Sequence, residues 1–187
     1  MYAVIALFDE KTENTIQNIW NELYETGLSY YSKAFANRRP HITIASYQML
    51  NKEPFMRLLH DFCNETESIP ITLSTLGTFL QSKTVFLSPT PTKTLFDWHF
   101  NYHEKFKNYH DTSSLYVPEK WIPHCTIANH LTEDQFQETF QYCADKFETL
   151  HAHIKEITLI ELEYINRTCI DAPIIFSKKL INKIVTP

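Results

Sequence analysis

The sequence predicts an α+β fold built from two pseudo-symmetric halves. Pro40-His41-Ile42-Thr43-Ile44 and Pro123-His124-Cys125-Thr126-Ile127 are one motif written twice. Around each copy the chain runs helix, motif strand, helix and further strands. The spacing repeats as well: an isoleucine opening an extended segment, Ile71 or Ile154, lies 30 residues after each motif histidine. An internal duplication explains this order. No low-complexity or linker-like stretch separates the halves, so a single domain spanning residues 1–187 is expected.

Each element has its own signal. Ala3 to Phe8 is apolar but short and leads into acidic residues, which reads as a buried first strand rather than a leader segment. From Thr12 to Gly27, the residues Ile16, Ile19, Trp20, Leu23 and Tyr24 form an amphipathic helical stripe that Gly27 can end in a left-handed cap. Pro40 stops any helix, and the β-branched residues after it favour a strand. Asn51 can cap a second helix with Phe55, Leu58, Leu59 and Phe62 on its buried face. Extended segments follow at Ile69 to Leu73, Thr75 to Leu80 and Thr84 to Leu87, the last two paired across Gln81-Ser82-Lys83. A third helix starts near Thr92, carries Leu95, Trp98, Tyr102 and Phe106, and runs into a polar loop around Asp111 to Ser114. The second motif lies in Trp121 to Ile127, where a proline again enters a β-branched segment. Thr132-Glu133-Asp134-Gln135 is a capping box for a fourth helix with Phe136, Phe140, Cys143 and Phe147 inward. Strands at Ile154 to Tyr164 and Ile174 to Phe176 complete the reading.

Composition narrows the function. The chain has 187 residues, 43% hydrophobic and 21% charged, and no apolar run approaches the roughly 18 residues of a membrane span. A net charge of −5 argues against broad binding to a phosphate backbone. Gly27 and Gly77 are the only glycines and stand apart, so a glycine-rich phosphate loop cannot be built. Cys63, Cys125, Cys143 and Cys169 make no close pair, which suits reduced thiols in a cytoplasmic protein.

The doubled motif suits phosphodiester chemistry. Side chains alternate along a strand, so His41 and Thr43 share one face and His124 and Thr126 share another. Cleaving a phosphodiester requires deprotonating the attacking oxygen and protonating the leaving one. Histidine does either near neutral pH, and threonine hydroxyls can donate to the non-bridging oxygens.

At these residues the sequence resembles the 2H phosphoesterase superfamily, whose members include the 2'-5' RNA ligase and 2',3'-cyclic phosphodiesterase group. The resemblance covers nearly the whole chain, including the Gly77-Thr78-Phe79 to Phe86-Leu87-Ser88-Pro89 hairpin. It implies a bilobal fold of mainly antiparallel sheet with outer helices around a central cleft. It also implies His41 and His124 as the acid/base pair, Thr43 and Thr126 as phosphate-binding hydroxyls, and no required metal or cofactor. The expected substrate is a small nucleotide or RNA end, acted on by a monomer without a membrane partner. The alternative is a non-catalytic nucleotide- or RNA-binding module on the same fold, whose mark would be loss of a histidine; both are present.

Further residues are weaker candidates. Arg38 or Arg39 can clamp a phosphate, Tyr116 can stack on a base, and Lys83, Lys120 and Trp121 can line the cleft, with core burial favoured for Trp121. His99 and His103 have the spacing of a helical metal pair but lack a third ligand. His151 and His153 read as exposed strand residues.

Overall fold

The computed structural model of the chain describes residues 1–111, 113–166 and 168–182; Thr112, in the expected polar loop, falls outside them. In chain order the described elements are β1 (Tyr2–Phe8), α1 (Glu10–Glu25), β2 (His41–Tyr47), α2 (Lys52–Glu65), β3 (Ile69–Phe79), β4 (Thr84–Pro89), α3 (Lys93–Lys105), β5 (Cys125–Ala128), α4 (Glu133–Lys146), β6 (Leu150–Glu161), β7 (Glu163–Ile165), β8 (Thr168–Asp171) and β9 (Ile174–Lys179).

The helices start where side chains can satisfy the first-turn N–H groups. The Asp9 carboxylate accepts from the Thr12 N–H at 3.0 Å and the Thr92 hydroxyl from the Leu95 N–H at 3.3 Å, while Thr132 and Gln135 close a reciprocal capping box. Asn51 precedes α2, but its side chain makes no capping bond. Gly27 follows α1 at φ +73°, a left-handed position that a side chain resists.

The main sheet is antiparallel and ordered β2-β1-β6-β3-β4-β5, with β9 added against β6. Exchanging β2, β1 and β6 with β5, β4 and β3 returns the same order. The two motif segments therefore occupy opposite ends of one sheet, and the sheet curls until β2 and β5 touch. On the helix-covered face Ile42, Ile44, Phe55, Leu59, Leu95 and Ile127 are almost completely buried, each worth about 1.5–3 kcal/mol relative to exposure. This packing fixes the backs of both motif segments.

Three sequence expectations are revised. Ile69 to Leu73 and Thr75 to Leu80 are parts of one strand, β3, whose register shifts between Leu73 and Thr75; the bulge breaks the alternation that a sequence reading follows. The strand placed at 154–164 runs instead over Leu150–Glu161, and the chain continues into the separate β7-β8 ribbon. The second motif strand begins only at Cys125, because the Ser88 hydroxyl, rather than a backbone N–H, binds the Pro123 carbonyl at 2.9 Å. No described helix is long and apolar enough to cross a membrane.

Candidate functional site

Burial alternates in both motifs as a strand requires. His41 and Thr43 are partly exposed while Ile42 and Ile44 are buried, and His124 and Thr126 are partly exposed while Cys125 and Ile127 are buried. On the neighbouring strands Leu7 stands opposite His41, Ile5 opposite Thr43, and Phe86 opposite Thr126.

The two imidazoles are held alike. The Nδ1–H of His41 donates to the Arg39 carbonyl at 2.7 Å, and the Nδ1–H of His124 donates to the Ile122 carbonyl at 2.7 Å. A carbonyl only accepts, so each neutral ring keeps its proton on Nδ1 and leaves Nε2 with a free lone pair. Burial pushes His41 down to about 4; the Arg39 carbonyl opposes this, while the charges of Arg38 and His124 add to it. Burial also lowers His124, against the pull of the Ile122 carbonyl. His124 is therefore near enough to His41 for its charge to be felt there.

Two tyrosines cross between the motifs. The hydroxyl of Tyr116, which precedes His124 in the chain, lies close enough to Thr43 for the threonine to oppose the rise of its phenol, and that of Tyr31, which precedes His41, stands in the same relation to Thr126. Burial raises both phenols, and the charge of Tyr116 adds to the rise at Tyr31. Both therefore stay protonated near neutral pH. The sequence suggests a stacking role for Tyr116, and the structure adds that its phenol lies beside Thr43. Tyr31 escapes a sequence reading, since it opens a single 3-10 turn, Tyr31–Lys33, too short to carry a periodic pattern. Its only signal is its place ahead of His41, comparable to that of Tyr116 ahead of His124.

The walls differ. Phe79 meets the His124 ring edge-on at 4.8 Å between centroids, and Phe86 lies at 5.3 Å. Gly77 makes room for Phe86: a Cβ there would come within 2.7 Å of the ring. Arg38 is sandwiched between Tyr31 and Phe35, its guanidinium carbon 3.9 Å from each ring centroid, with Nη1 donating to the Tyr31 carbonyl at 2.8 Å. It borders a small cavity of about 30 Å³ that His41 also lines.

Arg39 does not act as a free clamp. Its guanidinium grips both Glu13 oxygens at 2.8 and 3.2 Å and reaches Glu156 at 3.5 Å, so it ties α1 to the sheet. A bidentate carboxylate already satisfies the fork that a phosphate would need. Lys83 pairs with Glu133. Trp121 is buried, as favoured, but also bridges the motifs: its indole N–H donates to the Thr43 carbonyl at 2.9 Å while its ring stacks on His99 at 3.8 Å. His99 and His103 both direct Nε2 at the Ile44 carbonyl, each at 3.1 Å, and so brace the back of β2. Among the described residues no group of three or more His, Cys, Asp or Glu is arranged to hold a metal ion. A hollow of about 790 Å³ between Met1, Met49 and Tyr109 is lined by neither motif histidine.

No curated protein matches the sequence. Among solved structures, apo LigT of E. coli aligns over 96% of each chain at 14% identity with a TM-score of 0.58. LigT solved with 3'-AMP aligns over 96% of this chain and 97% of that one, at 14% identity and a TM-score of 0.57. TT0787 of Thermus thermophilus aligns over 97% of this chain and 98% of that one, at 11% identity and a TM-score of 0.61. At such identities these likenesses speak for the fold, an antiparallel sheet with four outer helices. The family model of the 2'-5' RNA ligase superfamily matches residues 8–164, which contain both motifs, and the chain therefore belongs to the 2'-5' RNA ligase superfamily, the 2H phosphoesterases.

Proposed function

We propose that the protein is a metal-independent phosphodiesterase acting on a small nucleotide or RNA end, by hydrolysis of a 2',3'-cyclic phosphate or by 2'-5' ligase-type transfer. The observation that carries this reading is the pair of imidazoles, each with Nδ1–H on a carbonyl at 2.7 Å and Nε2 without a hydrogen-bond partner among the described residues. That is the arrangement an acid/base pair needs.

In the hydrolytic direction His41 is the base. Its pKa, pushed down to about 4, keeps it unprotonated across neutral pH. Its Nε2 takes a proton from water as the water oxygen bonds to phosphorus. The bond from phosphorus to one ribose oxygen breaks, and that oxygen receives a proton from the Nε2 of His124, which enters the step in its doubly protonated, cationic form. The products are a ribose hydroxyl and a phosphomonoester. Thr43 and Thr126, oriented by Tyr116 and Tyr31, donate to the non-bridging oxygens as charge grows there. In ligation the two histidines exchange roles. The structural likeness to LigT, solved with 3'-AMP, supports a nucleotide-sized substrate.

The test is turnover of a panel of 2',3'-cyclic nucleotides, 2'-5'-linked dinucleotides and cyclic ADP-ribose phosphate, with and without a chelator. Chelator-resistant turnover of at least one, abolished by His41→Ala and by His124→Ala, is expected. Binding without turnover by the wild type would instead identify a nucleotide-binding module.

A further inference from the structure

The carbonyl that holds His41 belongs to a residue outside the sheet ladder. Arg39 precedes β2 by two positions, and its backbone makes no hydrogen bond to another backbone group among the described residues. Pro40 has no N–H to lend and restricts Arg39 only to extended conformations. The side chain must supply the rest of the anchorage. Nε and Nη2 donate to the two Glu13 oxygens at 3.2 and 2.8 Å, and Nη1 reaches Glu156 at 3.5 Å. Both acids stand on regular elements. Glu13 lies in α1, whose first turn Asp9 caps, and Glu156 lies in β6 opposite Leu7, which in turn stands opposite His41. The Ser177 hydroxyl of β9 donates to Glu156. The acid side chains are only 12% and 17% exposed, so solvent screens these charge-assisted bonds little. The second motif has no counterpart: the Ile122 carbonyl holds His124 at the same 2.7 Å, but the Ile122 side chain is apolar and 53% exposed.

We propose that Glu13 and Glu156, acting through Arg39, are positioning residues for the first imidazole alone: their grip holds the Arg39 carbonyl where it accepts the Nδ1–H of His41. The kinetic side of this assignment rests on the phosphodiesterase reading above. A neutral imidazole carries its proton on either nitrogen, and the acceptor it meets selects which. With the carbonyl in place the proton stays on Nδ1, and Nε2 keeps the lone pair that takes a proton from water. If the carbonyl swings away, the ring also populates the form protonated on Nε2, which cannot act as that base. Arg39 and its two acids touch no reacting atom; they set the fraction of His41 that is competent.

The experiment reads the tautomers directly, by nitrogen-proton correlation NMR of the imidazoles at a pH where both rings are neutral. Wild type is compared with Arg39→Met, which removes the fork and keeps the length, and with Glu13→Gln. Spectra of His41→Ala and His124→Ala assign the signals. In the wild type both rings should carry the proton on Nδ1. In the variants His41 should shift toward the Nε2-protonated form while His124, the control within the same molecule, stays as it was. On a 2',3'-cyclic nucleotide, kcat should fall about 10- to 10²-fold with KM within roughly twofold. A His41 that keeps its proton on Nδ1 in a folded variant overturns the proposal. So does an equal change at both histidines, since the ion pairs would then support the fold as a whole. If Arg39→Met does not fold, Glu13→Gln is read in the same way. If the wild type turns over no cyclic nucleotide, the phosphodiesterase reading fails by itself, and the spectra still decide whether the ion pairs position His41.

Discussion

The position three residues before each motif histidine is Arg38 in the first half and Trp121 in the second. Both side chains lie against aromatic rings, Arg38 between Tyr31 and Phe35 and Trp121 on His99. The Trp121 indole N–H is used up on the Thr43 carbonyl, whereas the Arg38 Nε has no partner among the described residues. The histidines differ in the same sense. His41 sits beside the charge of Arg38, above the aliphatic Leu7, and His124 sits among Phe79 and Phe86. A repeated motif thus preserves the ring geometry, while its unrepeated neighbours set charge and shape. One half sets a guanidinium beside its histidine, and the other an aromatic wall.

The largest effect should come from the feature the halves share. His41→Ala and His124→Ala should each lower kcat/KM on a cyclic nucleotide by about 10²- to 10⁴-fold; a loss under tenfold from either would break the equivalence of the two rings. Next come the crossed hydroxyls. Thr43→Val and Thr126→Val should each cost about 10²-fold in kcat, and Tyr116→Phe and Tyr31→Phe less, because the tyrosines act through the threonines.

The pH dependence sharpens the contrast between the halves. As base, His41 must be deprotonated, so kcat/KM should rise with pH through about 4. As acid, His124 must be protonated, and its lowered pKa puts the falling limb below its ordinary 6.5. A maximum between these limits is expected, and Arg38→Gln should move the lower limb upward by removing a cation next to His41. A profile whose lower limb is unmoved by that change would sink the role given to Arg38. The smallest effect concerns the aromatic wall. Gly77→Ala should force Phe86 away from His124 and cost about 1–3 kcal/mol in a urea unfolding series, with the lower limb assigned to His41 unchanged.

Much of the frame was legible in local pattern. Asp9 aside, the helix boundaries follow residues visible as caps, Thr92, Thr132 and Gly27, because capping depends on neighbours within a few positions. The β3 bulge was not legible, since a register shift is decided by the strand opposite. Arg39 illustrates the same limit within the site: its adjacency to the motif suggested a phosphate clamp, but Glu13 and Glu156, far along the chain, occupy it.

By itself the sequence determined the reactive groups and their pairing on faces, because strand alternation is a property of consecutive residues. His41 with Thr43 and His124 with Thr126 needed no tertiary information. Only the folded sheet, by bringing its two ends together, decided that Tyr31 meets Thr126, that Tyr116 meets Thr43, and that Arg39 is taken by carboxylates. These contacts join residues distant in the chain, and long-range closure leaves no periodic trace in the sequence for a local reading to follow.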